Sequence, residues 1–190
     1  MRRTVSPYVT LYATLAVASA AGWAALAVES FLTPPPRDYR DALVLVPWTL
    51  YAVVVAGVHR IQRERTGALA TAGLAGTLAG MAVSAAGNLG VLLGGDAMVA
   101  IAFPVGPGLF SLGLLLFGVA TARAGVLPRY AGVALALSQP MAIAIGLSLS
   151  WHVPVHPHGS YTGGLGHGIA VLALAAGLAA TRRTDRLPSG

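Results

Sequence analysis

The sequence contains no cysteine and no lysine, and only 9% of its 190 residues are charged. A soluble domain carries about 25% charged residues, so this chain lacks the charged shell that a water-soluble core needs. The absence of cysteine excludes disulfides, thiolate metal sites and reductases that use a cysteine pair. With 56% hydrophobic residues and a mean hydropathy of +0.73, the composition indicates a protein whose main solvent is lipid.

Long uncharged stretches fill most of the chain. They cover 4–28, 42–58, 66–95, 97–122 and 130–181, and the last is long enough to cross a bilayer twice. We therefore predict an all-α bundle of six transmembrane helices, forming a single integral membrane domain over 1–190. The predicted spans are about 8–30, 42–59, 67–93, 97–122, 129–151 and 164–181.

The basic residues are distributed unevenly between the predicted connections. All 12 are arginines, and ten of them lie at the two termini and in the second and fourth connections. These segments share one side of the bilayer, which the positive-inside rule assigns to the cytoplasm. We predict a multi-pass protein of the cell membrane with both termini inside, whose arginines bind anionic lipid and not nucleic acid. The predicted outer side carries a net charge of −2, from two arginines against four acids: Arg37, Arg40, Glu29, Asp38, Asp41 and Asp96.

Glycine and proline mark the third and fourth spans. Small residues recur along one face of the third span, and Gly76 and Gly80 form a GxxxG pair. Such a face lets two helix backbones approach closely, so we expect the third span to pack tightly and to lie near the centre of the bundle. In the fourth span we expect Pro104 and Pro107 to distort the outer half of the helix.

Histidines are concentrated near one predicted outer loop. His152, His156, His158 and His167 fall within sixteen residues, and imidazole is a common ligand of Zn and Cu. This clustering predicts a site for a divalent metal such as Zn or Cu. Two alternatives stay open: a polar loop without a physiological metal, and a group of histidines that senses pH near neutrality.

A second set of polar and aromatic residues predicts an outward-facing ligand site. Asn88 and Gln139 are amides inside the spans, and Glu29 and Trp48 fall in the outer half of theirs. Each amide alternatively makes an interhelical hydrogen bond. No acidic residue lies at mid-depth, which argues against a proton-coupled carrier built on a membrane carboxylate.

Three resemblances accompany these patterns. The segment RAGVLPR at 123–129 resembles a connection in small uncharacterised six-span integral membrane proteins of high-GC bacteria, a resemblance that implies no activity. Alanines four residues apart in the first span resemble the partner-docking pattern of the substrate-binding subunits of energy-coupling vitamin transporters: Ala16 with Ala20, and Ala21 with Ala25. Six spans with Ser111 and His167 are similar to rhomboid proteases, but the GxSG motif of that family is absent.

Together these observations favour a non-enzymatic membrane protein with an outward-facing site. It binds or helps to move a small solute or a metal ion, either alone or as a subunit of a larger complex. One alternative is a metalloenzyme that acts on a lipid-like substrate through the histidine cluster, and another is a structural accessory subunit without a ligand. The lipid bilayer is the predicted partner, and a membrane-protein partner or a second copy of the chain stays open.

Overall fold

The computed structural model describes residues 8–35, 37–155 and 158–184, with side chains up to Thr181. In these ranges the chain consists of helices joined by turns and loops. A 3₁₀ turn, Arg63–Arg65, follows the third helix. No strand is present in these ranges, which confirms the all-α prediction. The helices are α1 (Tyr8–Leu32), α2 (Tyr39–Leu43), α3 (Leu45–Gln62), α4 (Ala68–Leu93), α5 (Asp96–Ala124), α6 (Arg129–Ala136), α7 (Ser138–Ser148) and α8 (Gly164–Thr184).

Five helical stretches of the described chain are long and apolar enough to cross a membrane. They are α1, α2–α3 with its 3₁₀ turn, α4, α5 and α8. The pair α6–α7 provides a sixth crossing when it is counted as one span. The predicted polytopic helical bundle is therefore confirmed.

The predicted fifth span is broken. The sequence favoured one helix over 129–151, but α6 ends at Ala136 and α7 begins at Ser138 with a bend of 55°. Pro140 explains the break, because it has no amide hydrogen to donate to the carbonyl of Ala136 and is tolerated in the first turn of the new helix. The distortion expected at Pro104 and Pro107 does not interrupt α5, which stays helical from Asp96 to Ala124.

The second span begins earlier than predicted. Asp41 was expected to cap a helix starting at residue 42, but α2 starts at Tyr39 and continues almost directly into α3. The Val44 amide joins the two by donating to the Arg40 carbonyl at 2.9 Å. This extra turn places Arg40 and Asp41 on a helix, and both side chains are fully buried.

Glycines bring the backbones of α4 and α5 together. A Cβ on Gly80 would lie 2.2 Å from the Phe110 nitrogen, and one on Gly113 would lie 2.1 Å from the Thr77 nitrogen. Such close approach maximises dispersion contacts, which drive helix association in lipid. The expected central position of the glycine-rich helix is wrong, however. The buried share of the spanning segment is 33% for α4 but 56% for α8. The glycine face of α4 packs mainly on α5, whereas α8 packs on α1, α6 and α7.

The bundle has two chemically different ends. The acidic end carries the connections 33–38, 94–95 and 149–163, and the basic end carries the connections 63–67 and 125–128. Helices alternate in direction between these ends, so the outer halves of the predicted spans meet at the acidic end.

Candidate ligand-binding cavity

A cavity of about 330 Å³ lies inside the half of the bundle next to the acidic end. Residues of α1, α3, α4, α5, α7 and α8 form its walls, and the loop between α7 and α8 covers it. Small-molecule sites usually have volumes of about 300–1,000 Å³, so the cavity is large enough for a small organic ligand. It is the natural candidate site in the described part of the chain.

Aromatic rings form much of the cavity wall. The ring centres of Trp23 and Trp48 are 6.3 Å apart, and Trp48 stacks on Phe110 at 5.3 Å with an angle of 23° between the planes. Phe103 lines the cavity from the same helix as Phe110. Flat apolar walls of this kind favour a ligand that contains a ring.

His167 is the buried histidine of the cavity. Its Nδ1 lies 2.9 Å from the Ser138 hydroxyl, and Tyr51 donates its own hydroxyl hydrogen to Ser138 at 3.3 Å. Because Ser138 accepts from Tyr51, its hydrogen is free to point at Nδ1. In the tautomer that accepts this hydrogen bond at Nδ1, neutral imidazole carries its single proton on Nε2. No hydrogen bond to Nε2 is found within the described residues, so this tautomer presents an N–H donor at the cavity wall.

Three further donors on lining residues have no partner. The indole nitrogens of Trp23 and Trp48 and the hydroxyl of Ser84 are buried without a hydrogen bond in the part of the chain that the structure describes. An unpaired buried donor typically costs about 1–3 kcal/mol. An indole nitrogen can only donate, so a ligand at these residues satisfies them only if it carries acceptors.

Tyr161 connects the cavity to a buried carboxylate. Its hydroxyl donates to Asp41 Oδ1 at 2.7 Å and lies 3.5 Å from the side-chain oxygen of Asn88. Burial, reinforced by the negative charge of Asp41, raises the pKa of Tyr161 well above its ordinary value. Tyr161 therefore stays a neutral hydroxyl, and the Asp41 charge stays outside the cavity lining.

Among the residues that the structure describes, no acidic or arginine side chain lines the cavity. Removing a charge from water into an apolar site is costly unless an opposite charge compensates it. The lining offers amides, hydroxyls, indoles and one imidazole instead. This chemistry suits a neutral ligand.

Three of the four predicted ligand residues lie together in this lining: Trp48, Asn88 and Gln139. Glu29 does not join them. Its carboxylate accepts hydrogen bonds from Tyr39 and from the buried guanidinium of Arg40. Glu29 belongs to a structural cluster at the acidic end, because Arg40 also donates to the carbonyls of Gly159, at 2.7 Å, and Thr33.

The described histidines of the predicted metal site lie in three different places. His167 is in the cavity, whereas His152 packs on Phe31 with its Nε2 3.1 Å from the Phe31 carbonyl. His158 lies 3.3 Å from a carboxylate oxygen of Asp38 and 3.8 Å from one of Asp41. Among the described residues these three histidines share no ligand group, because His152 packs on α1 and His158 lies beside α2, while His167 is in α8. His156 lies outside the described residues.

Asp38, Asp41 and His158 instead place one oxygen or nitrogen atom each within 4.8 Å of one another. The contacts of His158 with the two carboxylates join the loop to α2. The cluster is a grouping that the histidine spacing alone did not predict.

Sequence reasoning missed Tyr51, Ser84, Phe110 and Ser138 as site residues. A serine inside an apolar span was the available signal for two of them, because a buried hydroxyl in lipid needs a partner. Tyr51 and Phe110 carry no such signal, since aromatic residues are ordinary in a membrane helix.

In comparisons with known proteins, the chain matches no protein-family model, no curated protein and no solved structure.

Proposed function

We propose that this protein is an integral membrane protein of the cell membrane that binds a small neutral organic solute in the cavity near its acidic end. The observation that carries the proposal is an uncharged, aromatic-walled cavity of about 330 Å³ whose lining residues include unpaired hydrogen-bond donors. The solute contains a ring, which packs on the aromatic wall formed by Trp23, Trp48 and Phe110, and at least one carbonyl or ether acceptor. Binding, with no chemical step, accounts for every feature of the lining.

The positive-inside rule places the cavity on the outer side of the membrane, since the arginine-rich connections lie at the opposite end. The predicted metalloenzyme alternative needs three or four converging ligands. Its described histidines do not converge, and the three-residue group that does, Asp38, Asp41 and His158, contains one histidine.

The test compares ring compounds that differ only in acceptors or charge. Menadione has a flat neutral ring system with two carbonyls, 2-methylnaphthalene lacks both carbonyls, and 1,4-naphthoquinone-2-sulfonate adds a negative charge. We expect isothermal titration calorimetry on the detergent-purified protein to detect menadione binding and to find both other compounds at least about tenfold weaker.

A pair of matched variants locates the binding. Trp48→Phe keeps an aromatic ring in the wall but removes the indole N–H, and it should weaken menadione binding by about threefold to tenfold. Trp151→Phe is the control, because Trp151 is 78% exposed and lies outside the cavity lining. Equal affinity for menadione and 2-methylnaphthalene, or equal effects of the two variants, would contradict the proposal.

A further inference from the structure

The rim of the cavity differs from its interior. Three lining residues on one side are exposed and apolar: Ile143 and Leu147 on α7, at 52% and 59%, and Val155 in the loop, at 64%. Across from them, Phe103 and Pro107 of α5 are half-buried parts of the same lining. The rim is therefore a gap between α5 and α7 bordered by hydrocarbon side chains.

The bend at Leu137 accounts for this gap. Helix α6 packs closely along α5, with a Cβ on Gly118 lying only 2.4 Å from the Ala136 nitrogen. After the 55° bend, α7 packs mainly against α8 and makes little contact with α5. The two helices thus separate at the level of the cavity.

The gap opens beside a candidate membrane-spanning segment, the pair α6–α7. Ile143 and Leu147 lie on a spanning segment and within about 8 Å of the end of α7, at 1.5 Å of rise per residue. A water-filled entrance would be bordered by polar or charged groups, but these rim residues are all apolar. Polar donors, in contrast, are found on the inner walls at Trp23, Trp48 and His167.

Resting on the proposed function, we infer that the ligand is amphipathic and lipid-borne, with a neutral carbonyl-bearing ring inside the cavity and a hydrocarbon chain that leaves between α5 and α7 into the bilayer. The ring carries the acceptors that the inner donors need, and the chain covers the exposed rim. A ligand of this class reaches the site laterally from the membrane. The acceptor-bearing ring of an isoprenoid quinone is one example of this chemistry.

The experiment compares a ring with and without a chain. Menaquinone-4 has the menadione ring and an isoprenoid chain, and both compounds quench tryptophan fluorescence at short range. The protein carries Trp151→Phe in lipid nanodiscs, so that the two remaining tryptophans, Trp23 and Trp48, report from the cavity. Expressing each midpoint as the mole fraction of quinone in the lipid removes the effect of partitioning.

We expect the midpoint for menaquinone-4 to be at least about tenfold lower than that for menadione, because the chain covers apolar rim surface. Gly146→Phe should reduce this advantage, raising the menaquinone-4 midpoint at least about fivefold more than the menadione midpoint. Gly146 lines the cavity, and a Cβ at this position meets the Gly163 backbone only at an ordinary contact distance of 3.8 Å. Ala144→Phe is the control, since Ala144 is exposed on the same helix and outside the lining.

Two results overturn the inference and are distinguishable from failure of the proposed function. If menadione binds and the chain brings no advantage, the lateral, lipid-borne ligand is wrong and the small-solute site stands. The same holds if Gly146→Phe leaves the advantage intact. If neither quinone quenches the cavity tryptophans, both proposals are wrong.

Discussion

At the acidic end, one buried arginine bonds to two other segments of the chain, the end of α1 and the loop before α8. Arg40 is fully buried and donates to the Glu29 carboxylate, to the Thr33 carbonyl near the end of α1, and to the Gly159 carbonyl in the long loop. Two of these acceptors are backbone carbonyls outside the helices: Thr33 follows the end of α1, and Gly159 lies in the loop before α8. Arg40 therefore satisfies carbonyls that would otherwise need water.

Replacing Arg40 should destabilise the protein strongly. Arg40→Ala leaves the Glu29 carboxylate and two carbonyls without their donor, and we expect it to lower the free energy of unfolding by about 2–4 kcal/mol. Denaturant titration in detergent, followed by circular dichroism, measures this loss. Arg63→Ala is the control, because Arg63 is exposed in the 3₁₀ turn. A loss as small as that of the control would contradict the clamping role.

The chain of hydroxyls behind His167 makes a second residue-level test. Ser138→Ala leaves the buried Tyr51 hydroxyl without its partner, and we expect a loss of about 1–3 kcal/mol in the free energy of unfolding. Adding Tyr51→Phe removes the orphaned hydroxyl, so the double variant should recover at least half of the loss. A double variant less stable than Ser138→Ala would show that Tyr51 matters for another reason.

Among the elements, the pair α4–α5 depends on the absence of side chains. A Cβ at Gly80 would collide with the backbone nitrogen of Phe110, at 2.2 Å, and a backbone atom cannot rotate away. We therefore expect Gly80→Ala to cost about 1–3 kcal/mol of stability, measured by thermal unfolding in detergent.

Gly108→Ala is the matched control for that substitution. It lies in α5, and a Cβ there meets no atom within 4 Å. Alanine should be neutral or slightly stabilising at this position, because it favours helix over glycine by about 1 kcal/mol. Equal destabilisation by both alanines would contradict the proposed importance of the close backbone approach at Gly80.

For the whole molecule, the arginine distribution predicts the orientation of the chain in the membrane, and this prediction can be tested. The chain has no cysteine, so a single introduced cysteine can report its own side of the membrane. Ser150→Cys lies at the acidic end and Gly67→Cys at the basic end, and both positions are exposed. In intact spheroplasts a membrane-impermeant maleimide should label Ser150→Cys, and should label Gly67→Cys only after permeabilisation. The reverse pattern would contradict the predicted topology.

The candidate site was predictable only in part, and the reason lies in how its residues are distributed. Asn88 and Gln139 stood out because an amide in an apolar span is unusual, and both line the cavity. Glu29 stood out as a polar residue in the outer half of its span, but its carboxylate is bound by Arg40. The rotation of each helix about its axis decides whether a polar residue faces a cavity or a neighbouring side chain. The residue pattern of a single span does not specify this rotation.

The sequence by itself determined the class of the molecule, because lipid admits few ways to satisfy a backbone. Runs of about 20 apolar residues that cross a bilayer must be helices. The glycine at position 94 marks the end of α4, where it adopts the left-handed conformation. Tertiary structure alone decided the burial of Arg40 and the meeting of Trp23, Trp48 and His167 around one cavity. These features arise from contacts between helices far apart in the chain, and so no local pattern of residues specifies them.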